Sequence, residues 1–318
     1  MDAMRIVVLA GGVGGARFLQ GVRAVSSDVT AVVNTADDVT LHGLRVCPDL
    51  DSVMYTLGGG IDTDRGWGRA AETWTVKDEL AAYGAEPTWF GLGDRDIATH
   101  LVRTRMLDAG YTLHAVTEAL CDRWRPGVRL LPMSNDRVET HVVVSGPEGR
   151  RALHFQEWWV RHRAQLDPVE FVPVGAPESV PAPGVLDAIG GADVVLVAPS
   201  NPVVSIGTIL AVPGIREALR KTAAPVVGVS PIIGGAPVRG MAERCLPAVG
   251  AEVSAEGVGT YYGSRSASPE GILDGWLVDT ADAGATVPGV KVAAVPLYMT
   301  DVDATAAMVR AAVELGRG

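Results

Sequence analysis

Four aspartates that follow one apolar segment are the residues of this chain best suited to hold a cation. Asp37 and Asp38 come soon after the apolar run 29–33, and Asp49 and Asp51 follow closely. One or two of them fit the role of turn or helix-cap residues. Mg²⁺ in proteins commonly joins one or two carboxylates to substrate phosphates. The cluster therefore predicts a Mg²⁺ site, provided that a phosphate is bound nearby.

A glycine-rich turn near the start of the chain is the candidate phosphate site. It separates the apolar run 6–10 from a helical pattern at 18–22 and contains Gly11, Gly12, Gly14 and Gly15. Backbone N–H groups approach an anion closely in such a turn, and the dipole of the following helix favours negative charge. A tight β–α corner without a ligand also explains glycines. Four of them exceed what turn geometry requires, which favours phosphate binding, and a cation would then bridge the phosphate and the aspartates.

The two standard nucleotide-binding motifs do not fit this turn. In Gly-x-Gly-x-x-Gly, Gly12 and Gly14 match, but Arg17 occupies the third glycine position. The second strand ends in Asn34 rather than in the acidic residue that binds the ribose of NAD. The lysine of a P-loop is also missing here. The turn is therefore predicted to hold a phosphate of another ligand.

A second polar loop follows the apolar run 193–198. It contains Ser200, Asn201 and Pro202, with Ser205 shortly after. Serine and asparagine offer donors and acceptors suited to a phosphate or a base edge, although a structural turn explains the same residues. Its predicted place at the same sheet edge as the glycine turn favours ligand binding.

Other polar and aromatic segments give weaker signals. Asp94 or Asp96 is predicted to cap a helix, and Asp96 lies one turn before His100, which it could orient. His100 is not assigned as a base because no nucleophile is placed beside it. The aromatic segment 155–159 is predicted to pack in the core rather than form a stacking platform, although a planar ligand could use it. The sequence lacks Gly-x-Ser-x-Gly, His-Glu-x-x-His and Cys-x-x-Cys, which disfavours hydrolase and zinc chemistry.

The elements that must position these residues alternate between apolar strands and helices. The predicted strands are 6–10, 29–33, 193–198, 225–229, 275–278 and 290–295, and 304–315 is the closing helix. Continuous apolar strands alternating with helices indicate an α/β fold with a Rossmann-like, doubly wound, mainly parallel sheet. Ligands of such sheets lie beyond the carboxyl ends of the strands.

The middle of the chain is predicted to be an insertion. Segments 1–60 and 185–318 form the nucleotide-binding core, and 61–184 is inserted between them. The insertion is helical to about 127, continues with short strands at 128–131 and 141–144, and ends in a proline-rich surface connection at 168–183. The expected fold is thus a core sheet with a small helical insertion.

Bulk composition excludes several classes of protein. The chain has 318 residues and a formal charge of −10, which argues against nucleic acid or an anionic membrane as the main partner. No apolar run approaches the ~18 residues of a transmembrane helix. Cys47, Cys121 and Cys245 lack paired spacing and are predicted to be reduced thiols of a cytoplasmic protein.

Taken together, eight segments in order resemble the 2-phospho-L-lactate transferase family of deazaflavin coenzyme F-420 biosynthesis. They are 11–15 (GGVGG), 34–38 (NTADD), 47–51 (CPDLD), 92–100 (LGDRDIATH), 131–134 (LPMS), 154–157 (HFQE), 199–207 (PSNPVVSIG) and 229–234 (VSPIIG). They run nearly end to end, so the set is far more specific than any one member. One departure is Phe90-Gly91-Leu92, where family members often carry a basic residue near the flavin.

The resemblance implies a Mg²⁺-dependent transfer of a phosphorylated three-carbon acid from a guanosine diphosphate-linked donor to the deazaflavin Fo, with release of GMP. The implied substrate-binding residues are Gly11, Gly12, Gly14, Gly15, Asn34, Asp51, Ser200, Asn201, Pro202, Ser205 and Gly234. Asp37, which the resemblance makes a metal ligand, and its neighbours Asp49 and Asp51 form the predicted metal site. The candidates for accepting the hydroxyl proton are Asp37, Asp38 and Asp51.

The donor and the activity itself each have an alternative. An arginine-rich, actinobacterial composition favours the enolpyruvyl donor, giving dehydro coenzyme F-420-0, but no motif separates it from the 2-phospho-L-lactyl donor. A guanine-nucleotide-binding regulatory protein of the same fold, without catalysis, is the second hypothesis. A homodimer is expected in either case.

Overall fold

A seven-stranded parallel sheet forms the centre of the computed structural model, which describes residues 3–147 and 149–318. Residues 1 and 2, in the predicted segment 1–60, and residue 148, in the predicted segment 61–184, lie outside the described residues. The strands are β1 (Arg5–Ala10), β2 (Asp28–Val33), β3 (Val39–Leu41), β4 (Leu44–Val46), β5 (Arg129–Pro132), β6 (Glu139–Gly146), β7 (Gly149–His154), β8 (Pro168–Val174), β9 (Val194–Val197), β10 (Val226–Val229), β11 (Ile232–Ile233), β12 (Ala236–Pro237), β13 (Gly275–Val278) and β14 (Lys291–Ala294).

Helices connect these strands. The α-helices are α1 (Gly12–Val25), α2 (Pro48–Leu57), α3 (Thr75–Ala82), α4 (Asp94–Asp108), α5 (Leu113–Trp124), α6 (Val185–Gly191), α7 (Gly207–Ala211), α8 (Ile215–Lys221), α9 (Ala242–Cys245), α10 (Ala255–Tyr262) and α11 (Val302–Arg317). Two π-helical segments (Glu157–Arg161 and Pro202–Ile206) and two 3₁₀ segments (Leu246–Val249 and Thr280–Asp282) complete the described elements.

The strand order of the central sheet creates a crevice at one point. The order is β14-β13-β10-β9-β1-β2-β5, and the neighbouring strands are parallel. From β1 the chain moves outward through β2 to β5 and then returns to β9 on the other side of β1. The direction of winding therefore reverses between β1 and β9, which is where open sheets of this type bind ligands. The predicted α/β, doubly wound parallel fold is confirmed.

Both faces of the sheet are covered because its strands alternate between two apolar clusters. Ile6 and Val8 of β1 pack with residues of α1, α2, α5 and α11, whereas Val7 and Leu9 pack with residues of α6, α7 and α8. Successive residues of a strand point to opposite faces, so an unbroken apolar run serves two cores at once. This is why the continuous apolar segments were diagnostic.

The range 61–184 differs from the predicted insertion in two respects. β5 belongs to the central sheet, where it pairs with β2 and Thr30 lies opposite Arg129. The proline-rich segment 168–183 is not only a surface connection, because its first part is β8, which pairs antiparallel with β6. Local sequence shows a strand but not its neighbour, so neither pairing was visible in the sequence.

Two acidic residues in this region cap α3 and α4, and each lies outside the helix that it caps. The Glu72 carboxylate accepts hydrogen bonds from the Arg95 and Asp96 N–H groups at 2.8 Å, which caps α4. Asp94, predicted to cap the helix that it opens, instead accepts from the N–H groups of Thr75 and Val76 at the start of α3. The carboxylates thus link the two helix starts.

Candidate functional site

A cleft of about 470 Å³ opens at the carboxyl ends of the central strands. Its walls come from the glycine turn after β1, Asp37 after β2, the loop 199–205 after β9, Ser230 after β10 and residues 297–300 after β14. The volume is within the range of small-molecule sites, about 300–1,000 Å³. The cleft includes the point where the winding reverses, as expected for a ligand site of this fold.

The glycine turn packs tightly against the loop that follows β9. The Ser200 hydroxyl donates to the Gly11 carbonyl oxygen at 2.7 Å and accepts from the Gly11 N–H at 3.0 Å. A Cβ on Gly11 would lie 2.7 Å from Asp49 Oδ2, and one on Gly15 would lie 2.8 Å from Ser200 Oγ. Protein packing thus explains two of the glycines, so their number is weak support for a phosphate. Residues 11–14 nevertheless line the cleft.

Asp37 and Asp49, the acidic wall, are the two carboxylates among the described residues that line the cleft. Both are buried, and Asp37 Oδ1 has no hydrogen-bond partner in the described part of the chain. Asn34 Nδ2 donates to Asp49 Oδ2 at 2.9 Å, and Asn34 Oδ1 accepts from the Thr208 hydroxyl at 2.8 Å. Asn34, predicted to bind substrate, is fully buried and orients Asp49 instead.

The acidic wall carries charge that the protein does not neutralise. Burial raises the pKa of Asp37 well above its usual range, and the negative charges of Asp49 and Asp38 raise it further. Burial also raises the pKa of Asp49 to about 6, against the opposing effect of the Asn34 hydrogen bond. A bound cation would reverse both shifts because it favours the charged carboxylates.

The acidic wall fits Mg²⁺ bound together with a substrate. Among the described residues, no group of three or more His, Cys, Asp or Glu side chains is arranged to hold a metal. Two carboxylates, of which Asp37 has a buried oxygen without a partner among the described residues, match the way Mg²⁺ binds, through one or two carboxylates and the phosphates of its substrate.

Asp38 and Asp51 are buried, but neither lines the cleft. Asp38 Oδ2 accepts from Arg45 Nη2 at 3.0 Å, and both carboxylate oxygens of Asp51 contact the Arg103 guanidinium. His100 Nδ1 lies 3.7 Å from Asp51 Oδ2. This placement does not support the predicted roles of Asp51 in metal and substrate binding, or those of Asp38 and Asp51 in proton transfer, because their charges are paired with arginines.

Some of the remaining predicted binding residues line the cleft, and others lie behind its lining. Asn201 and Ser205 line the cleft, but Asn201 Oδ1 already accepts from the N–H groups of Val203 and Val204, at 2.9 and 3.2 Å. Pro202 does not line the cleft, nor do Gly15, Asn34 and Gly234. The Gly234 N–H donates instead to Asp282 Oδ2 at 2.9 Å.

Several residues of the cleft were not recognised in the sequence. They are the arginines Arg17, Arg65 and Arg239 and the aromatic residues Trp67 and Tyr298. The Arg17 signal was available, since it lies one helical turn after the glycine turn. The others come from loops without a motif, and only tertiary structure brings them together.

The aromatic segment 155–159 serves both the core and the cleft. Trp158 is fully buried, and its indole N–H donates to the Leu166 carbonyl oxygen at 2.8 Å, as the predicted core role requires. Phe155 and Trp159 also line the cleft, so the alternative of contact with a ligand stays open for these two side chains. The Gln156 side chain donates to the Asp37 carbonyl oxygen at 3.3 Å and so holds the backbone of the acidic wall.

Three other predictions concern thiols, a histidine and membranes. Cys47, Cys121 and Cys245 form no disulfide, as predicted. His100 Nε2 lies 3.3 Å from Asp96 Oδ2, so the two side chains are neighbours, as their helical spacing predicts. Among the described residues no single helix is long and apolar enough to cross a membrane, although Pro202–Ala211 and Ile215–Lys221, bent by 85°, pass by length and composition together.

Comparison with known proteins relates this chain to a family. Residues 6–310 match the family described as 2-phospho-L-lactate transferase CofD. Three relatives, each named phosphoenolpyruvate transferase, are 65% identical (Nocardia farcinica), 64% identical (Streptomyces griseus) and 63% identical (Thermobifida fusca). Each alignment covers 98% of this chain, and 94%, 98% and 98% of the respective relatives.

Solved structures share the fold at low sequence identity. Two crystal structures of one Bacillus halodurans protein, described as a member of the UPF0052 family, align with TM-scores of 0.62 and 0.60 at 18% and 16% identity. The two alignments cover 98% and 97% of this chain, and 100% and 99% of the respective crystallised chains. At this level of identity the likeness concerns the fold alone.

Proposed function

The chain belongs to the 2-phospho-L-lactate transferase CofD family, and on this premise we propose that it transfers a phosphoenolpyruvyl unit to the deazaflavin Fo. The donor is a guanosine diphosphate-linked three-carbon acid, GMP leaves, and the product is dehydro coenzyme F-420-0. The choice of the enolpyruvyl over the 2-phospho-L-lactyl donor is supported by relatives that are named phosphoenolpyruvate transferase and are 63–65% identical. A cytoplasmic location and a homodimer stay predictions.

The observation that carries the proposal is the acidic wall beside the glycine turn. Asp37 has a buried oxygen without a partner in residues 3–147 and 149–318, and Asp49 is oriented by Asn34 at the edge of the same cleft. Phosphoryl transfer needs positioning and charge neutralisation more than a covalent nucleophile. The cleft offers carboxylates for a cation and backbone N–H groups for phosphate, which is what this chemistry requires.

In this proposal Asp37 and Asp49 hold Mg²⁺, and the glycine turn holds the donor phosphates. When bound, the metal neutralises the diphosphate and the leaving GMP. Ser200 fixes the turn through its two hydrogen bonds to Gly11, which holds the start of α1 at the cleft. Since Asp37 and Asp49 are the described carboxylates of the cleft, they are also the candidates for accepting the Fo hydroxyl proton.

Incubation of the purified protein with Fo and each candidate donor, followed by mass spectrometry of the product, tests the proposal. We expect the dehydro product from the enolpyruvyl donor, and none when Mg²⁺ is chelated. Asp37→Ala removes this turnover, whereas Asp303→Asn, on the exposed start of α11, retains it. Undiminished turnover by Asp37→Ala would contradict the metal assignment, and guanine nucleotide binding without any product would indicate the regulatory protein instead.

A further inference from the structure

Three arginines line the cleft, and one of them already has an anionic partner. Arg65 Nη2 lies 3.0 Å from Asp62 Oδ2, and the Arg65 guanidinium lies between the rings of Trp67 and Trp74, at 5.3 and 5.2 Å. Arg17 and Arg239 form no ion pair with any residue that the structure describes. These two are therefore available to an anion that enters the cleft.

Arg17 is directed to the cleft by helix geometry. It lies on α1 one turn after Val13, which also lines the cleft. Side chains on an α-helix tilt toward the N-terminus, so the guanidinium extends back over the turn that carries residues 13 and 14. Burial lowers the pKa of Arg17, and the positive charge of Arg239 lowers it further. Arg239 is therefore close enough for the two charges to repel each other.

Arg239 reaches the cleft from the loop between β12 and α9. A Cβ built on Gly66 would lie 2.8 Å from Arg239 Nη1, so the glycine at position 66 leaves the space that the guanidinium occupies. Gly66, which has a φ of +76°, also lines the cleft. The loops that carry Gly66 and Arg239 thus meet at the cleft and place a second cationic group there.

The arginine pair and the acidic wall do not neutralise each other. Neither Asp37 nor Asp49 forms an ion pair with any residue that the structure describes, and the same holds for Arg17 and Arg239. The cleft therefore has an uncompensated acidic part and an uncompensated basic part. A ligand that brings a metal cation and a separate anionic group satisfies both.

The geometry points to Arg17 and Arg239 as an anion-binding subsite for the donor, which takes a phosphate or a carboxylate that the metal does not bind. This assignment rests on the proposed function, because the donor of that reaction carries both kinds of anion. Guanidinium groups bind either one through paired N–H donors. The subsite makes these two residues determinants of donor affinity.

Equilibrium titration of the full-length protein with GDP and with phosphoenolpyruvate, in the presence of Mg²⁺, tests the subsite. The variants are Arg17→Gln, Arg239→Gln and the double variant, and Arg310→Gln on the exposed face of α11 is the matched control. We expect at least one ligand to bind about 10- to 100-fold more weakly to the Gln variants, the loss expected for a charge-assisted hydrogen bond. Arg17→Lys and Arg239→Lys keep the charge and should regain part of the affinity. Such a regain shows that the Gln variants lose affinity because the charge is missing and not because they are misfolded.

The pattern of losses identifies the anion. Weaker GDP binding alone assigns the subsite to a nucleotide phosphate, and weaker phosphoenolpyruvate binding alone assigns it to the acid unit. Unchanged affinity for both ligands, or binding of neither by the wild type, overturns the proposal. Failure of the proposed function would be seen separately, as absence of product from Fo in a wild-type protein that still binds GDP.

Discussion

Asp49 and Asp51 lie two residues apart on α2 and have opposite environments. Asp49 lines the cleft with a pKa raised to about 6 by burial, whereas Asp51 is held by the Arg103 guanidinium. Residues two apart on an α-helix point about 200° away from each other. Opposite faces of one helix therefore separate a carboxylate for ligands from a carboxylate that stabilises the fold.

Asp37 and Asp38 repeat this division in an adjacent turn. Asp37 lines the cleft, whereas Asp38 does not and accepts hydrogen bonds from Arg45 and from the Cys47 thiol, each at 3.0 Å. Oδ1 of each carboxylate has no hydrogen-bond partner among the described residues. Four aspartates that look equivalent in the sequence thus form two groups. Members of the acidic wall should cost stability and support function, and Asp51, held by Arg103, should do the reverse. Asp38 is intermediate, because burial raises its pKa to about 6 against the opposing charge of Arg45.

The largest effect should come from breaking the buried pair. Arg103→Met leaves Asp51 buried without its cation, and we expect a loss of about 3–5 kcal/mol in the free energy of unfolding. Denaturant unfolding followed by circular dichroism measures it. Lys221→Met, which removes an exposed ion pair to Glu217, is the control and should leave stability nearly unchanged. A loss below about 1 kcal/mol for Arg103→Met would contradict the structural role.

Asp37→Asn should reduce activity without reducing stability, which is the opposite of the effect expected for Arg103→Met. We expect the Mg²⁺-dependent rate to fall about 100- to 1,000-fold, roughly 3–4 kcal/mol, because a charged group that neutralises the transition state is lost. Its pKa is raised by burial, so the ionised form destabilises the folded state and the amide should unfold no more easily than wild type. Steady-state kinetics and denaturant unfolding measure the two quantities. Substantial destabilisation would place Asp37 with the paired aspartates.

The free energy of unfolding of the metal-free protein should depend on pH in a way that reports on Asp49 of the acidic wall. The folded-state pKa of Asp49, about 6, lies above the value of 3.8 for a free side chain, so its ionisation favours unfolding. The destabilisation is absent below about pH 4, grows until about pH 6 and stays constant above. Asp49→Asn should therefore be more stable than wild type by about 1–3 kcal/mol at pH 7.5 and equally stable at pH 4. Unfolding curves at both pH values in a chelator test this, and a gain that is equal at both would refute it.

The smallest effect concerns a residue that supports the acidic wall. Gln156→Ala removes the hydrogen bond to the Asp37 carbonyl oxygen, and we expect a cost of about 0.5–1.5 kcal/mol in stability. The Mg²⁺ concentration for half-maximal activity should rise modestly, since the backbone that carries Asp37 is less restrained. Gln165→Ala, remote from the cleft lining, serves as the comparison. Equal Mg²⁺ requirements in both variants would remove Gln156 from the site.

Much of the fold was predictable because strands buried on both faces have a continuous apolar pattern. The predicted strand 225–229 corresponds to β10, and 193–198 corresponds to β9. The place of β5 beside β2 was not predictable, because hydrogen bonds between strands leave no local signal. The prediction that Asp94 or Asp96 caps α4 is wrong for a similar reason, since Asp94 caps α3, whose residues lie in another segment.

The sequence by itself determined the types of most core elements and the polar segments at the strand ends. Only the tertiary structure divided the four aspartates, because that depends on which face of α2 meets Arg103 and which meets the cleft. It also brought Arg17 and Arg239 to one cleft from distant segments. Local spacing governs how a residue points from its own element, whereas its charge environment depends on elements that the chain packs against it later.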